Sequence, residues 1–227
     1  MEQELAAWTH ERDPFSVEVS QGSAFMHPRQ LLRELEQAMP RDAMVSTDIG
    51  NVCSVSNSYL RFERPRSMFA AMSFGNCGYA FPVACGAKIA SPERPAIAYV
   101  GDGAWGISFN ELLTCAREKI GVTVVVFNNG QWGAEKKNHV DFYSRRFLGV
   151  NLDSPSWASV ARAFGCEGVR VDRLDDVRPA LQAAVAAQAE GKCTVLEMML
   201  TQELGDPFRR DALSKPVRLL EKYREYS

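Results

Sequence analysis

The segment Val122-Thr123-Val124-Val125-Val126-Phe127 narrows the fold more than any other. It is β-branched and almost uniformly apolar, so a strand here must be covered on both faces, as in parallel sheets flanked by helices. Ala96–Val100 and Thr194–Leu200 repeat the pattern, and Ala43–Ser46 reads as a shorter buried strand. Between these runs the apolar period changes to that of a helix. Leu31, Leu32, Leu35 and Met39 recur at helical spacing behind Pro28, which suits a first helical position, and Pro40 ends the segment. Asn51–Leu60, Pro82–Ala90, Ser108–Glu118, Trp157–Phe164 and Val177–Ala189 read as further helices. Ala84, Ala87 and Ala90 permit close packing, and Leu112 and Leu113 are expected inside. Met68–Met72 is one more apolar run. The alternation implies βαβ units, hence an α/β fold with a doubly wound, mostly parallel sheet and helices on both faces.

The 227 residues leave room for one large core, and the 46% apolar and 24% charged content excludes a disordered or collagen-like chain. With 26 basic and 28 acidic residues the net charge is -2, which gives no electrostatic reason to expect nucleic acid or an anionic membrane as partner. No apolar run reaches the roughly 18 to 20 residues that span a bilayer. Met1-Glu2-Gln3-Glu4 lacks the pattern of a secretory signal. The six cysteines, at 53, 77, 85, 115, 166 and 193, show no CxxC spacing and are expected to be reduced core residues of a cytoplasmic protein. The three histidines lack the spacing of zinc ligands. Residues 1–25 are polar and carry the breakers Asp13-Pro14 and Gln21-Gly22-Ser23, so a linker is expected there. Residues 26–200 form the expected domain, and 201–227 a charged tail that packs on it or on a partner.

Ligands of such sheets sit beyond the carboxyl ends of the strands. Three loops there carry unusual chemistry, after Ser46, Val100 and Phe127. Gly101-Asp102-Gly103-Ala104 places an ionised carboxylate between glycines that allow close backbone approach. Asn128-Asn129-Gly130-Gln131 follows the next strand, so Asp102 and Asn129 offer two hard oxygen ligands to one point. Mg²⁺ prefers few protein oxygens together with phosphate oxygens and water. Taken alone, Gly-Asp-Gly is a tight turn with a capping aspartate. Joined by 24 residues to Asn128-Asn129, with a strand ending at each, it resembles the signature motif of thiamine-diphosphate enzymes.

Behind those motifs the chain resembles the diphosphate-binding domain of thiamine-diphosphate enzymes of the acetolactate synthase and pyruvate decarboxylase type. The resemblance implies thiamine diphosphate and Mg²⁺ as cofactors. It implies Asp102, Asn129 and the Gln131 carbonyl as metal ligands, with Gly101, Gly103, Ala104 and Trp132 beside the cofactor. Gly50 and Asn51 of Asp48-Ile49-Gly50-Asn51 match the loop touching the diphosphate. Gly75-Asn76-Cys77-Gly78-Tyr79-Ala80-Phe81-Pro82 resembles the loop that meets the pyrimidine ring through the Gly75 carbonyl and the Cys77 backbone N–H. A cysteine there is smaller than the apolar wedge the family usually places under the bent cofactor.

Two longer strings, Asn129–Asn138 and Gln202–Ala212, are similar to stretches of the sulfoacetaldehyde acetyltransferases, a branch of that family. That branch releases sulfite from sulfoacetaldehyde and passes the acetyl group to phosphate. Both anions need fixed cations. Lys136, Lys137, Arg145, Arg146, Arg209 and Arg210 are the candidates, at least one of which is expected to bind an anion while a solvated basic surface accounts for the others. The glutamate with which the family activates its cofactor belongs to a separate pyrimidine-binding domain. Glu111 and Glu135 fall within the diphosphate-binding part, so no catalytic acid is expected in this chain, and a pyrimidine-binding domain or subunit is expected as partner in a homo- or hetero-oligomer. The β subunit of a decarboxylase for sulfopyruvate or phosphonopyruvate, an acetolactate synthase-like enzyme, and a binding module without its catalytic partner stand as alternatives.

Overall fold

A computed structural model describes residues 25–202. The expected linker, apart from Phe25, and the tail beyond Gln202 lie outside the described residues.

Six parallel strands form one sheet in the order β2-β1-β3-β4-β6-β5. They are β1 (Met44–Thr47), β2 (Met68–Ala70), β3 (Ala96–Gly101), β4 (Thr123–Asn128), β5 (Glu167–Val171) and β6 (Thr194–Met199). The helices are α1 (Pro28–Ala38), α2 (Asn51–Ser56), α3 (Ala80–Ala90), α4 (Asp102–Ser108), α5 (Leu112–Glu118), α6 (Gly133–Phe142), α7 (Trp157–Ala163) and α8 (Val177–Ala187). The α/β doubly wound fold expected from the alternation is the fold observed.

The uniform apolarity of the strands has a direct structural reason. Successive side chains point to opposite faces, and each face meets its own helical layer. Val45, Ile97, Tyr99, Val125, Phe127, Leu196 and Met198 pack with Leu31, Leu32 and Leu35 of α1 and with Val177, Leu181 and Ala184 of α8. Met44, Ala96, Ala98, Val100, Val124, Val126 and Val195 pack with Ala80, Phe81 and Ala84 of α3 and with Trp105, Leu112, Cys115, Trp157 and Ala161. His27 caps α1 through its side chain, accepting from the Arg29 N–H at 3.3 Å. Buried Gln188 ties the amino ends of β3 and β4 together, pairing with the Ala96 backbone and with Thr123 Oγ1 at 2.8–3.0 Å.

Several boundaries differ from the sequence reading. The stretch read as one helix over Ser108–Glu118 is broken: α4 begins at Asp102 itself, a 3-10 turn covers Phe109–Glu111, and α5 starts at Leu112. Leu112 is fully buried, whereas Leu113 is 58% exposed and not inside. Neighbouring helical positions point about 100° apart, so α5 turns Leu112 and Cys115 to the core and Leu113 away. The helix read to Leu60 ends at Ser56, where Tyr59 and Leu60 N–H groups fold back on the Ser56 carbonyl. Strand β5 escaped the reading because it is an edge strand carrying Glu167 and Arg170, and α6 because it buries none of its ten residues. Four of the cysteines, scattered in sequence, are drawn together: Cys85 Sγ lies 3.4 Å from Cys115 Sγ, and Cys193 contacts both Cys115 and Cys166.

Helix α7 rides directly on β5, and the contact requires a glycine. A Cβ at position 168 would lie 2.0 Å from the Ala158 carbonyl oxygen, a backbone atom that cannot move aside. Gly168→Ala should therefore cost about 2 kcal/mol or more in urea unfolding, while Leu113→Ala should stay within about 0.5 kcal/mol. Equal midpoints for Gly168→Ala and the wild type would contradict this packing.

Candidate functional site

The sheet changes direction of winding at β1: the chain passes to β2 on one side and to β3 on the other. The crevice at such a switch point is where open α/β sheets bind ligands. Three loops meet there, after β1, β3 and β4. The register sets Gly101 opposite Phe127, so the loops after β3 and β4 start level with each other. The Gly130 N–H donates to Asp102 Oδ2 at 2.9 Å, which binds the two loops together.

Asp102 is 2% exposed. Burial pushes its carboxyl up to about 6, against the opposing pull of the N–H groups of Gly130, Gly103 and Gln131. Desolvation disfavours the charged form, and a nearby cation would favour it. The loop after β1 is anchored by Asp48, which no motif singles out for a role of its own. Asp48 is fully buried and accepts from the Tyr79 N–H at 3.1 Å and the Ala80 N–H at 3.4 Å. Ser46 Oγ donates to the Ala80 carbonyl at 2.6 Å. Together they hold the segment carrying Gly75 and Cys77 against the end of β1. Burial raises the Asp48 carboxyl above its ordinary range, and the backbone donors offset part of that rise. The Cys77 thiol is also pushed up, by burial first and then by the charges of Asp48 and Glu135, so it stays protonated.

Between the loops lies a cavity of about 400 Å³. All eleven candidate cofactor residues line it: Gly50, Asn51, Gly75, Cys77, Gly101, Asp102, Gly103, Ala104, Asn129, Gln131 and Trp132. The Trp132 ring lies flat against Gly103, where a Cβ would meet ring carbons at 2.9 Å. Around Gly133 the amides of Asn51, Asn129 and Gln131 converge, a Cβ there falling 3.0, 3.7 and 3.9 Å from their nitrogens. The Gln131 side chain is 3% exposed, and neither of its amide atoms has a hydrogen-bond partner. A buried, unpartnered amide costs about 1–3 kcal/mol. Asp102, the Asn129 side chain and the Gln131 carbonyl would offer oxygens alone, fewer than a full protein cage. Such a set suits Mg²⁺ that takes its remaining ligands from phosphate and water. On these grounds the residues fit a magnesium diphosphate.

Of the candidate cations, Lys137 lines the cavity and pairs with Asp141 at 2.6 Å. Lys136 reaches Asn151 at 3.0 Å and Gln202 at 3.3 Å, and lies over the Phe147 ring. Arg145 and Arg146 are exposed just beyond α6 and do not line the cavity. Arg209 and Arg210 lie outside the described residues. Arg29, at the start of α1, lines the cavity but belongs to no motif that would have marked it. Met72, Phe74 and Leu148 expose 59%, 90% and 85% of their surface. No described helix is long and apolar enough to cross a membrane.

Comparison with known proteins accounts for this arrangement. Residues 48–198 match the family model described as thiamine pyrophosphate enzyme, C-terminal TPP binding domain. The chain belongs to that family. Over its full length this TPP-binding domain is 66% identical to a sulfoacetaldehyde acetyltransferase of Castellaniella defragrans, and over 99% of its length 61% identical to one of Alcaligenes xylosoxydans xylosoxydans. It spans only 39% of the length of either relative. An acetolactate synthase of Mycobacterium bovis is 32% identical over 73% of the chain and 28% of that relative. Among solved structures, a thiamine diphosphate-dependent 4-hydroxybenzoylformate decarboxylase of Rhodococcus jostii RHA1 superposes with a TM-score of 0.75 at 25% identity, covering 83% of this chain and 35% of the other. A benzoylformate decarboxylase of Polynucleobacter necessarius gives 0.72 at 22% identity, covering 80% and 34%. The fold is therefore that of the TPP-dependent decarboxylases.

If Asp102 supplies the only charged metal ligand, Asp102→Ala should weaken Mg²⁺-dependent thiamine-diphosphate binding at least about 100-fold by calorimetry. Unchanged affinity would remove Asp102 from the site.

Proposed function

We propose that the TPP-binding domain holds thiamine diphosphate and Mg²⁺ in an enzyme that converts sulfoacetaldehyde and phosphate to acetyl phosphate and sulfite. The observation that carries this reading is the 66% and 61% identity to two sulfoacetaldehyde acetyltransferases across essentially the whole chain, against 32% to acetolactate synthases. The intact Asp102, Asn129 and Gln131 set supports it.

Bound thiamine diphosphate supplies a carbon nucleophile for the aldehyde carbonyl. The residues of this chain bind and orient. Asp102, Asn129 and the Gln131 carbonyl would hold the cation that neutralises the diphosphate, and the amides of Asn51 and Gln131 would satisfy its oxygens. The Gly75 carbonyl would accept from the cofactor's amino group on the segment that Asp48 anchors. Trp132, packed on Gly103, would screen the diphosphate from water. Lys137 is the candidate cation nearest at hand for sulfonate or phosphate, its charge shared with Asp141.

The acid that activates the cofactor is assigned to a pyrimidine-binding part outside this chain, in the remaining length of the enzyme or in a partner subunit. Exposed Phe74 and Met72, beside Gly75, would be covered by it. The same reading places the working assembly in the cytoplasm as an oligomer.

The test is turnover by the domain assembled with its pyrimidine-binding part. Acetyl phosphate and sulfite should appear in equal amounts from sulfoacetaldehyde and phosphate. Carbon dioxide from a 2-oxo acid, with no sulfite from sulfoacetaldehyde, would assign the domain to a decarboxylase instead.

A further inference from the structure

Glu197 sits in the middle of β6 with 1% of its surface exposed, between the buried apolar residues Leu196 and Met198. A carboxylate at such a place is expensive unless its oxygens are fully hydrogen-bonded. Three donors converge on it. Asn128 Nδ2 donates to Oε1 at 2.9 Å; Ser156 Oγ and the Ala158 N–H donate to Oε2 at 2.9 and 3.1 Å.

These donors come from two segments that both lead to the candidate metal loop. Asn128 is the last residue of β4, immediately before Asn129. Its Oδ1 accepts from the Gly130 N–H at 3.3 Å, the same N–H that donates to Asp102 Oδ2. Ser156 and Ala158 form the start of α7. The segment before that helix runs back along the loop: Trp132 N–H donates to the Val150 carbonyl, and Leu152 N–H to the Gly130 carbonyl, both at 2.8 Å. The carboxylate thus joins the loop's root at Asn128 to the helix end that anchors the loop's outer partner.

We infer that Glu197 is a positioning residue for the metal site: it fixes the loop Asn128–Trp132 and so sets where Asn129 and the Gln131 carbonyl meet the cation. The inference rests on the magnesium-diphosphate reading of the cavity. Glu197 itself does not line that cavity. Only a carboxylate serves, because it presents two acceptors and no donor. A glutamine would turn an N–H toward Asn128 or toward the Ala158 N–H, leaving one donor unpaired in either orientation.

The experiment uses the enzyme assembled with its pyrimidine-binding part and titrates Mg²⁺ at fixed thiamine diphosphate, reading cofactor binding by calorimetry. Glu197→Gln should raise the Mg²⁺ concentration for half-saturation about 10-fold or more, as loss of partners behind metal ligands does. Leu181→Ala, a core truncation in α8 that does not line the cavity, should lower the unfolding midpoint yet leave that concentration within about twofold of wild type. Ser156→Ala, which keeps the buried charge and removes one donor together with the side-chain cap on the Ser159 N–H, should raise it by a smaller factor with the fold intact, and it decides the question if Glu197→Gln does not fold. Wild-type Mg²⁺ dependence in Glu197→Gln, or in Ser156→Ala where Glu197→Gln does not fold, would overturn the inference, as would an equal rise in Leu181→Ala. If the wild-type assembly binds no cofactor with Mg²⁺, the reading of the cavity itself fails, and that result is distinguishable from the others.

Discussion

The parallel pairing of β3 with β4, with Gly101 set opposite Phe127, is the constraint on which the site depends. Parallel strands end on the same edge, so their following loops must leave the sheet side by side. In this chain one loop carries Asp102 and the other Asn129. The hydrogen bond from Gly130 N–H to Asp102 then converts proximity into a fixed relation between two oxygen donors. Nothing in either loop alone would do this. The apolar residues beneath, Val100 and Val126 on one face and Tyr99 and Phe127 on the other, make that register the one that buries both faces.

Above that core the polar groups are unusually deep. Asp48, Asp102, Gln131 and Glu197 are each 3% exposed or less. Asp48 and Glu197 are saturated by donors from segments far apart in sequence, so each acts as a tie: Asp48 between β1 and the start of α3, Glu197 between β4 and α7. Gln131 is the contrast, buried with no partner and facing the cavity. Asp48 and Glu197 thereby hold the frame around the cavity, the kind of rigid support that a preorganised site requires.

Much of this was legible in the residues. The runs at Ala96–Val100 and Val122–Phe127 announced strands buried on both faces, and the Gly-Asp-Gly to Asn-Asn spacing singled out two loops that do adjoin. Other features were invisible for physical reasons. Helix α6 has no apolar period because it buries no side chain, and the edge strand β5 alternates too weakly to stand out. Leu113 beside Leu112 read as core because a pair of leucines does not say which one faces inward. The roles of Asp48 and Glu197 depend on partners 31 and 69 positions away, and no local pattern encodes them. Arg29 reaches the cavity only because α1 packs across the crevice from outside the motif region.

The proposed magnesium-diphosphate site draws on all three loops at once. A crystal structure of the domain with thiamine diphosphate and Mn²⁺ in place of Mg²⁺ tests it most directly, through the anomalous signal of the metal. A single peak is expected about 2.2 Å from oxygens of Asp102, Asn129 and the Gln131 carbonyl, with the diphosphate beside Trp132. An ordered cofactor whose metal lies away from Asp102 and Asn129 would contradict it.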